Sequence, residues 1–194
     1  MPKSLRPRPT SRMALFTRNF FRYPAMLGSV IPSSPFLIND MLAQVDWKRA
    51  RVLVEYGPGI GNFTEEILKR MAPDATLIAI ELNREFAEFL RHKIRDPRLH
   101  VVQTSAGNVR EILARKKLAH TDYIISSLPF TNMPLSVRNH IMKETRQALH
   151  ADGIFVAYQY SRTLLPYFRS CFSSVEQGFQ PLNFPPARIF SCTP

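Results

Sequence analysis

Cysteine is nearly missing from this 194-residue chain. Cys171 and Cys192 stand apart, with no C-x-x-C spacing, which excludes a disulfide framework and a zinc finger. The five histidines are scattered as well, so no metal centre is expected. No apolar run approaches the roughly 18 residues that cross a bilayer, which argues against an integral membrane protein. The N-terminus also lacks the apolar stretch of a secretory signal, so the expected location is cytoplasmic. Internal repeats are absent. What remains, 45% hydrophobic and 21% charged residues, describes one globular domain with a substantial core.

Acid is missing from the start of the chain. Lys3, Arg6, Arg8, Arg12, Arg18 and Arg22 all precede the first acid, Asp40. The rest carries 20 bases against 15 acids, so the net charge of +11 is concentrated at the N-terminus. Such a block points to a polyanion, either nucleic acid or an anionic membrane surface. Pro2, Pro7 and Pro9 make residues 1–10 a basic, irregular tail. In residues 11–23, Met13, Phe16, Phe20 and Tyr23 recur at helical spacing, and Leu15 and Phe21 widen the apolar face. The expectation is a short amphipathic helix ended by Pro24, then a turn over 28–35 and a second helix over 36–45. Residues 11–46 would thus form a helical extension, and 47–194 the core.

From Arg51 onward strand and helix patterns alternate. Strands are expected at 52–56, 76–81, 99–103, 123–127 and 154–160, with helices at 63–71, 84–95, 109–117 and 135–149. Five strands alternating with four helices predict an α/β fold with a parallel sheet covered on both faces. Residues 173–179 and 187–192 read as two further strands whose short Pro-rich connection suits an antiparallel pair.

The strongest local signal is Glu55-Tyr56-Gly57-Pro58-Gly59-Ile60-Gly61, directly after a strand and before a helix. Glycines there let the backbone turn sharply and approach a ligand, at the carboxyl ends of the strands where open parallel sheets bind ligands. The dinucleotide fingerprint fails at Asn62, and no P-loop lysine follows. Glu81 closes the second strand, where a carboxylate can accept hydrogen bonds from both ribose hydroxyls. Turn and acid together indicate an adenosyl ligand.

With these residues the chain resembles the class I methyltransferases that use S-adenosylmethionine. The resemblance implies a Rossmann-like, seven-stranded, mostly parallel sheet of order 3-2-1-4-5-7-6. It also implies S-adenosylmethionine as cofactor, with S-adenosylhomocysteine as product. Gly57, Pro58, Gly59 and Gly61 would pass close to its methionyl part, and Glu55 would order the turn or bond the amino group. Glu81 would take the ribose and Leu82 pack on adenine. Ser105 and Ala106 would flank the adenine edge, with Asn108 as a possible reader of the adenine amine. Ser126, Ser127 and Leu128 would border the sulfonium, and Ser29 and Ser33 reach the cofactor carboxylate.

Two more segments narrow the family. Gly28-Ser29-Val30-Ile31-Pro32-Ser33-Ser34 and Ser126-Ser127-Leu128-Pro129-Phe130 are similar to segments of bacterial phospholipid N-methyltransferases, which convert phosphatidylethanolamine stepwise to phosphatidylcholine. More distantly the chain resembles ribosomal RNA adenine dimethyltransferases. Those have Asn or Asp where Ser127 stands, and an additional C-terminal helical domain for which this chain leaves no room. The resemblance implies peripheral association with the cytoplasmic face of an anionic membrane through Arg12, Leu15, Phe16, Arg18, Phe20, Phe21 and Arg22. Phospholipid is then the expected partner, without metal or nucleic acid. Tyr23, Ser127, Pro129, Phe130 and Tyr160 are the candidate substrate-side residues, aromatic faces being suited to a methylated ammonium. Tyr158 is a further candidate, for which core packing is the better reading. The alternatives are an RNA adenine N6-methyltransferase and a catalytically silent lipid- or RNA-binding protein of the same fold.

Overall fold

The structure, a computed structural model, describes residues 33–194. The expectations for residues 1–32, including the amphipathic helix and the roles of Tyr23 and Ser29, lie outside the described residues. So do those for the membrane-facing Arg12, Leu15, Phe16, Arg18, Phe20, Phe21 and Arg22.

Helix α1 (Pro35–Leu42) starts where the side chain of Ser34 accepts from the Leu37 amide and Pro35 opens the first turn. It buries Leu37, Ile38, Met41 and Leu42. The alternation then runs β1 (Val52–Tyr56), α2 (Asn62–Arg70), β2 (Thr76–Glu81), α3 (Arg84–Lys93), β3 (Leu99–Gln103) and α4 (Val109–Arg115). It continues through β4 (Thr121–Ser126), α5 (Leu135–Ala148), β5 (Leu149–Gln159), α6 (Leu165–Cys171), β6 (Ser174–Gln180) and β7 (Ala187–Thr193). The sheet order is β3-β2-β1-β4-β5-β7-β6, with β7 antiparallel to both neighbours. This is the Rossmann-like, mostly parallel arrangement expected from the resemblance.

Both faces of the sheet are covered. Val54, Tyr56, Ile124, Phe155 and Phe190 pack on one side with α4, α5 and α6. Leu53, Leu77, Ile125, Val156 and Ile189 pack on the other with α1 and α2. The central strands are therefore apolar on both faces, as buried parallel strands must be. Tyr56 is buried at the tip of β1, and its hydroxyl is satisfied by Thr145 of α5 at 3.2 Å.

Two elements differ from expectation. Helix α6 was not anticipated, although Leu164, Phe168 and Phe172 recur every fourth residue and are all buried. Strand β5 begins five residues early, because Leu149 pairs with Thr121 before an irregular stretch that ends at Ile154 opposite Tyr123.

Candidate active site

The carboxyl end of β1 turns into α2 through three glycines with positive φ, at 68° for Gly57, 55° for Gly59 and 88° for Gly61. Their surroundings assign them different work. A Cβ at Gly59 would meet nothing within 4 Å among the described residues, so this part of the turn is open to a ligand. A Cβ at Gly61 would lie 2.6 Å from Leu90 and 3.2 Å from Ile94, so Gly61 lets α2 pack closely against α3. Pro58 is buried beneath the turn.

Two carboxyl groups hold this turn from below. Glu81 accepts from the Gly59 amide at 3.0 Å and from the Asn83 amide at 2.8 Å. Burial raises its pKa, partly offset by those backbone bonds. Each oxygen keeps a lone pair for a further donor, such as a ribose hydroxyl. Glu55 is completely buried, and its Oε2 accepts from the Thr64 hydroxyl at 2.7 Å. Its Oε1 has no partner, and burial pushes the pKa up to about 8. Glu55 therefore ties β1 to the first turn of α2.

Beyond β2, Leu82 stands 62% exposed, an apolar shelf without a cover. Past β3, Ser105 caps a short 3-10 turn by accepting from the Gly107 amide, and Ala106 is buried. The Asn108 side-chain Nδ2 donates to the Thr104 hydroxyl at 2.8 Å. An open glycine loop, a carboxylate under it and an exposed apolar side chain next to it fit an adenosyl group with hydroxyls and a flat base.

A second concavity adjoins this cradle. A cleft of about 440 Å³ is bounded by Ser127, Leu128, Pro129, Asn132, Tyr158 and Tyr160, among others. The two spaces share a wall. The Ser127 amide donates to the Tyr56 carbonyl at 3.0 Å, and the Leu128 side chain fills the place where a Gly57 Cβ would be. Gln159, pointing the other way from its neighbours, donates to the Leu128 carbonyl at 2.9 Å and fixes this wall. Buried Ser126 accepts from the Leu128 amide.

The cleft floor is a cluster of hydroxyls around Tyr158. Ser33 donates to its oxygen at 3.4 Å, and Tyr160 and Ser127 also bond to it. The Tyr158 ring stacks near Phe63 of α2 and meets Tyr160 edge-on. Tyr158 thus belongs to the cleft wall as well as to the core, so both readings that the sequence offered for it apply. Strand alternation was the available signal, since residues two apart face the same side. Burial raises the pKa of both tyrosines, so both are neutral near pH 7.

Phe130 is corrected in the opposite sense. It is fully buried, edge-on to Phe155 and Phe168, because a 3-10 turn over 130–132 rotates it into the core. Its face is not available to a substrate. Ser33, expected at the cofactor, bonds Tyr158 instead. Among the described residues that line the cleft there is no carboxylate and no basic side chain. Such a site disfavours a charged amine and favours the neutral, nucleophilic form. Among the described residues no cluster of three metal-binding side chains occurs, and no helix is long and apolar enough to cross a membrane.

Comparison with known proteins agrees with this geometry. Residues 23–161 match the family model of ribosomal RNA adenine dimethylase. An ornithine lipid N-methyltransferase of Singulisphaera acidiphila is 30% identical over 184 residues, covering 92% of this chain and 94% of that protein. Ribosomal RNA small subunit methyltransferase A of Mycoplasma capricolum is 28% identical over 111 residues, 57% of this chain but only 39% of that protein. Among solved structures, human methyltransferase-like protein 13 in complex with SAH superposes with a TM-score of 0.58 at 14% identity, over 89% of this chain and 81% of that one.

Proposed function

The chain belongs to the ribosomal RNA adenine dimethylase family and is an S-adenosylmethionine-dependent methyltransferase, and on that premise we propose that its acceptor is a lipid amine. The acceptor is phosphatidylethanolamine, methylated stepwise towards phosphatidylcholine at an anionic membrane surface. The observation that carries this reading is the end-to-end similarity to a lipid N-methyltransferase, against 39% coverage of the RNA methyltransferase. Ser127 supports it, since RNA adenine methyltransferases have Asn or Asp there.

When bound, S-adenosylmethionine supplies an electrophilic methyl group on sulfur. The residues of the chain do the rest. Gly59 admits the cofactor, Glu81 takes its ribose, Leu82 supports its adenine, and Ser105 and Ala106 flank the base. Ser127 and Leu128 separate cradle from cleft and set the distance between donor and acceptor, where positioning dominates the rate. A lipid amine, with a reference pKa near 10, arrives protonated. The uncharged cleft favours proton loss to water, and the hydroxyls of Ser127, Tyr158 and Tyr160 orient the neutral nitrogen. Tyr158 and Tyr160 then present aromatic surface to the methylated product.

The test offers the purified chain labelled cofactor with phosphatidylethanolamine, ornithine lipid or ribosomal RNA. Label should enter phosphatidylethanolamine as successive mono-, di- and trimethyl products. Label confined to ornithine lipid would replace the acceptor named here. Label in RNA would establish the adenine N6-methyltransferase reading, which the family model favours. No label anywhere would leave a silent binding protein.

A further inference from the structure

Seven large apolar side chains stand exposed among the described residues, and all seven lie at one end of the molecule. Leu82 follows β2, Leu135 and Val137 open α5 just past β4, and Phe179 is the last residue but one of β6. Leu182 and Phe184 occupy the loop between β6 and β7. Phe36 opens α1, where the Ser34 amide is held by Asn183 of that same loop at 2.9 Å. In this sheet all these positions sit at the carboxyl ends of the parallel strands. Loops at the opposite end present Lys48, Arg49, Asp74, His120 and Asp152 instead. A cofactor would cover Leu82, and the Arg188 guanidinium lies over the Phe179 ring at 4.8 Å, but nothing among the described residues covers the rest, and concentrated exposed apolar surface marks an interaction site.

The β6–β7 loop is the most exposed part, with Leu182 at 62% and Phe184 at 83%. It is also tightly braced. Asn183, between them, is buried, accepts from Ser34 and donates to the Pro185 carbonyl at 2.7 Å. The Leu182 amide donates to Gln180, which in turn donates to Asp40 of α1. The loop therefore presents both apolar side chains outward already ordered, which lowers the entropy cost of docking.

The occupant follows from charge and place. Arg162 and Arg188 flank this end, and neither has an ion-pair partner among the described residues. The six N-terminal bases precede Ser33, which joins the body at this same end. The cleft also opens there. We propose that Leu182 and Phe184, with Phe36, form an apolar wedge that inserts into the interface of an anionic bilayer and sets the cleft mouth at headgroup level. The wedge rests on the lipid-acceptor reading for its purpose, but its test does not require turnover.

That test uses the full chain and vesicles of phosphatidylglycerol and phosphatidylcholine, which contain no primary-amine lipid. Trp47 is the sole tryptophan, so Trp47→Phe with Phe184→Trp places one fluorophore on the wedge. Its emission should be that of an exposed indole in buffer, shift to the blue on vesicles and be quenched by lipids brominated along the acyl chain. Leu182→Ser with Phe184→Ser should weaken vesicle partitioning about tenfold or more, with the melting temperature unchanged. Three results would overturn the wedge: vesicle binding without quenching; an indole already shielded in buffer, meaning the chain itself or a second copy covers it; and a fragment of RNA, not lipid, protecting it. Quenching with no methyl transfer to any lipid would sustain the wedge and sink the lipid-acceptor reading alone.

Discussion

At the end of β1 the Glu55 carboxyl group is wholly buried, with one oxygen on Thr64 and the other without a partner. Burial lifts its pKa from the ordinary 4.5 to about 8. A group raised in the folded state binds more protons there than in the unfolded chain, so stability falls as pH rises. Its contribution is complete below about pH 4.5 and is lost as pH climbs through 8. Thermal melts of the cofactor-free protein between pH 5 and 8.5 should show this decline, amounting to on the order of 4 kcal/mol. Glu55→Gln keeps an acceptor for Thr64 without an ionisable group and should flatten the profile. An equally steep decline in the variant would move the cause to another residue. Single residues are also where sequence reading was weakest. Glu81 and the glycines announced themselves by position, but Phe130 proved to be core and Tyr158 to serve both core and cleft. A short 3-10 turn buried the first, and alternation along β5 carried the second into the cleft beside Tyr160.

Within the β1–α2 turn, glycines of identical appearance serve separate ends. Gly59 faces open space and Gly61 faces α3. Gly59→Ala accepts a left-handed φ at a cost of about 1–2 kcal/mol and places a methyl group where a ligand must approach. It should leave a folded protein that binds S-adenosylhomocysteine at least tenfold more weakly by calorimetry. Gly61→Ala meets the same backbone strain and drives its Cβ into Leu90 and Ile94, adding about 1–3 kcal/mol of overpacking. It should lower the melting temperature markedly more than Gly59→Ala, and equal melting temperatures would refute the division. The motif was legible in sequence because spacing after a strand declares a turn. Which glycine meets ligand was not, because that depends on a helix more than twenty residues away. Helix α6 escaped for a local reason: Pro166 and the preceding Ser-Arg-Thr read as a loop, although proline suits a first helical turn. The early start of β5 was hidden by Asp152-Gly153, which reads as a turn.

Over the whole molecule, charge and apolar surface are polarised in ways that can be separated. The net +11 draws heavily on six bases within the first 22 residues, whereas the exposed apolar side chains belong to the folded body. The alternation made a parallel sheet covered on both faces legible, and the sheet order came only with the resemblance carried by the glycine turn and Glu81. The one-ended distribution of apolar surface was not, because it emerges only when distant loops are brought to the same edge. Each base near an anionic bilayer contributes about 1 kcal/mol, and salt shortens its reach from about 10 Å at 0.1 M to about 3 Å at 1 M. Apolar insertion has no such dependence. Binding of the full chain to phosphatidylglycerol vesicles should therefore fall with salt and settle on a plateau above zero. Deletion of residues 1–22 should remove most of the falling part and, with Leu15, Phe16, Phe20 and Phe21 gone, lower the plateau without abolishing it. Leu182→Ser with Phe184→Ser in the full chain should keep the fall and lower the plateau. A deleted chain that retains the full salt-sensitive binding would place the electrostatic contact on the folded body, with Arg162 and Arg188 the first residues to replace.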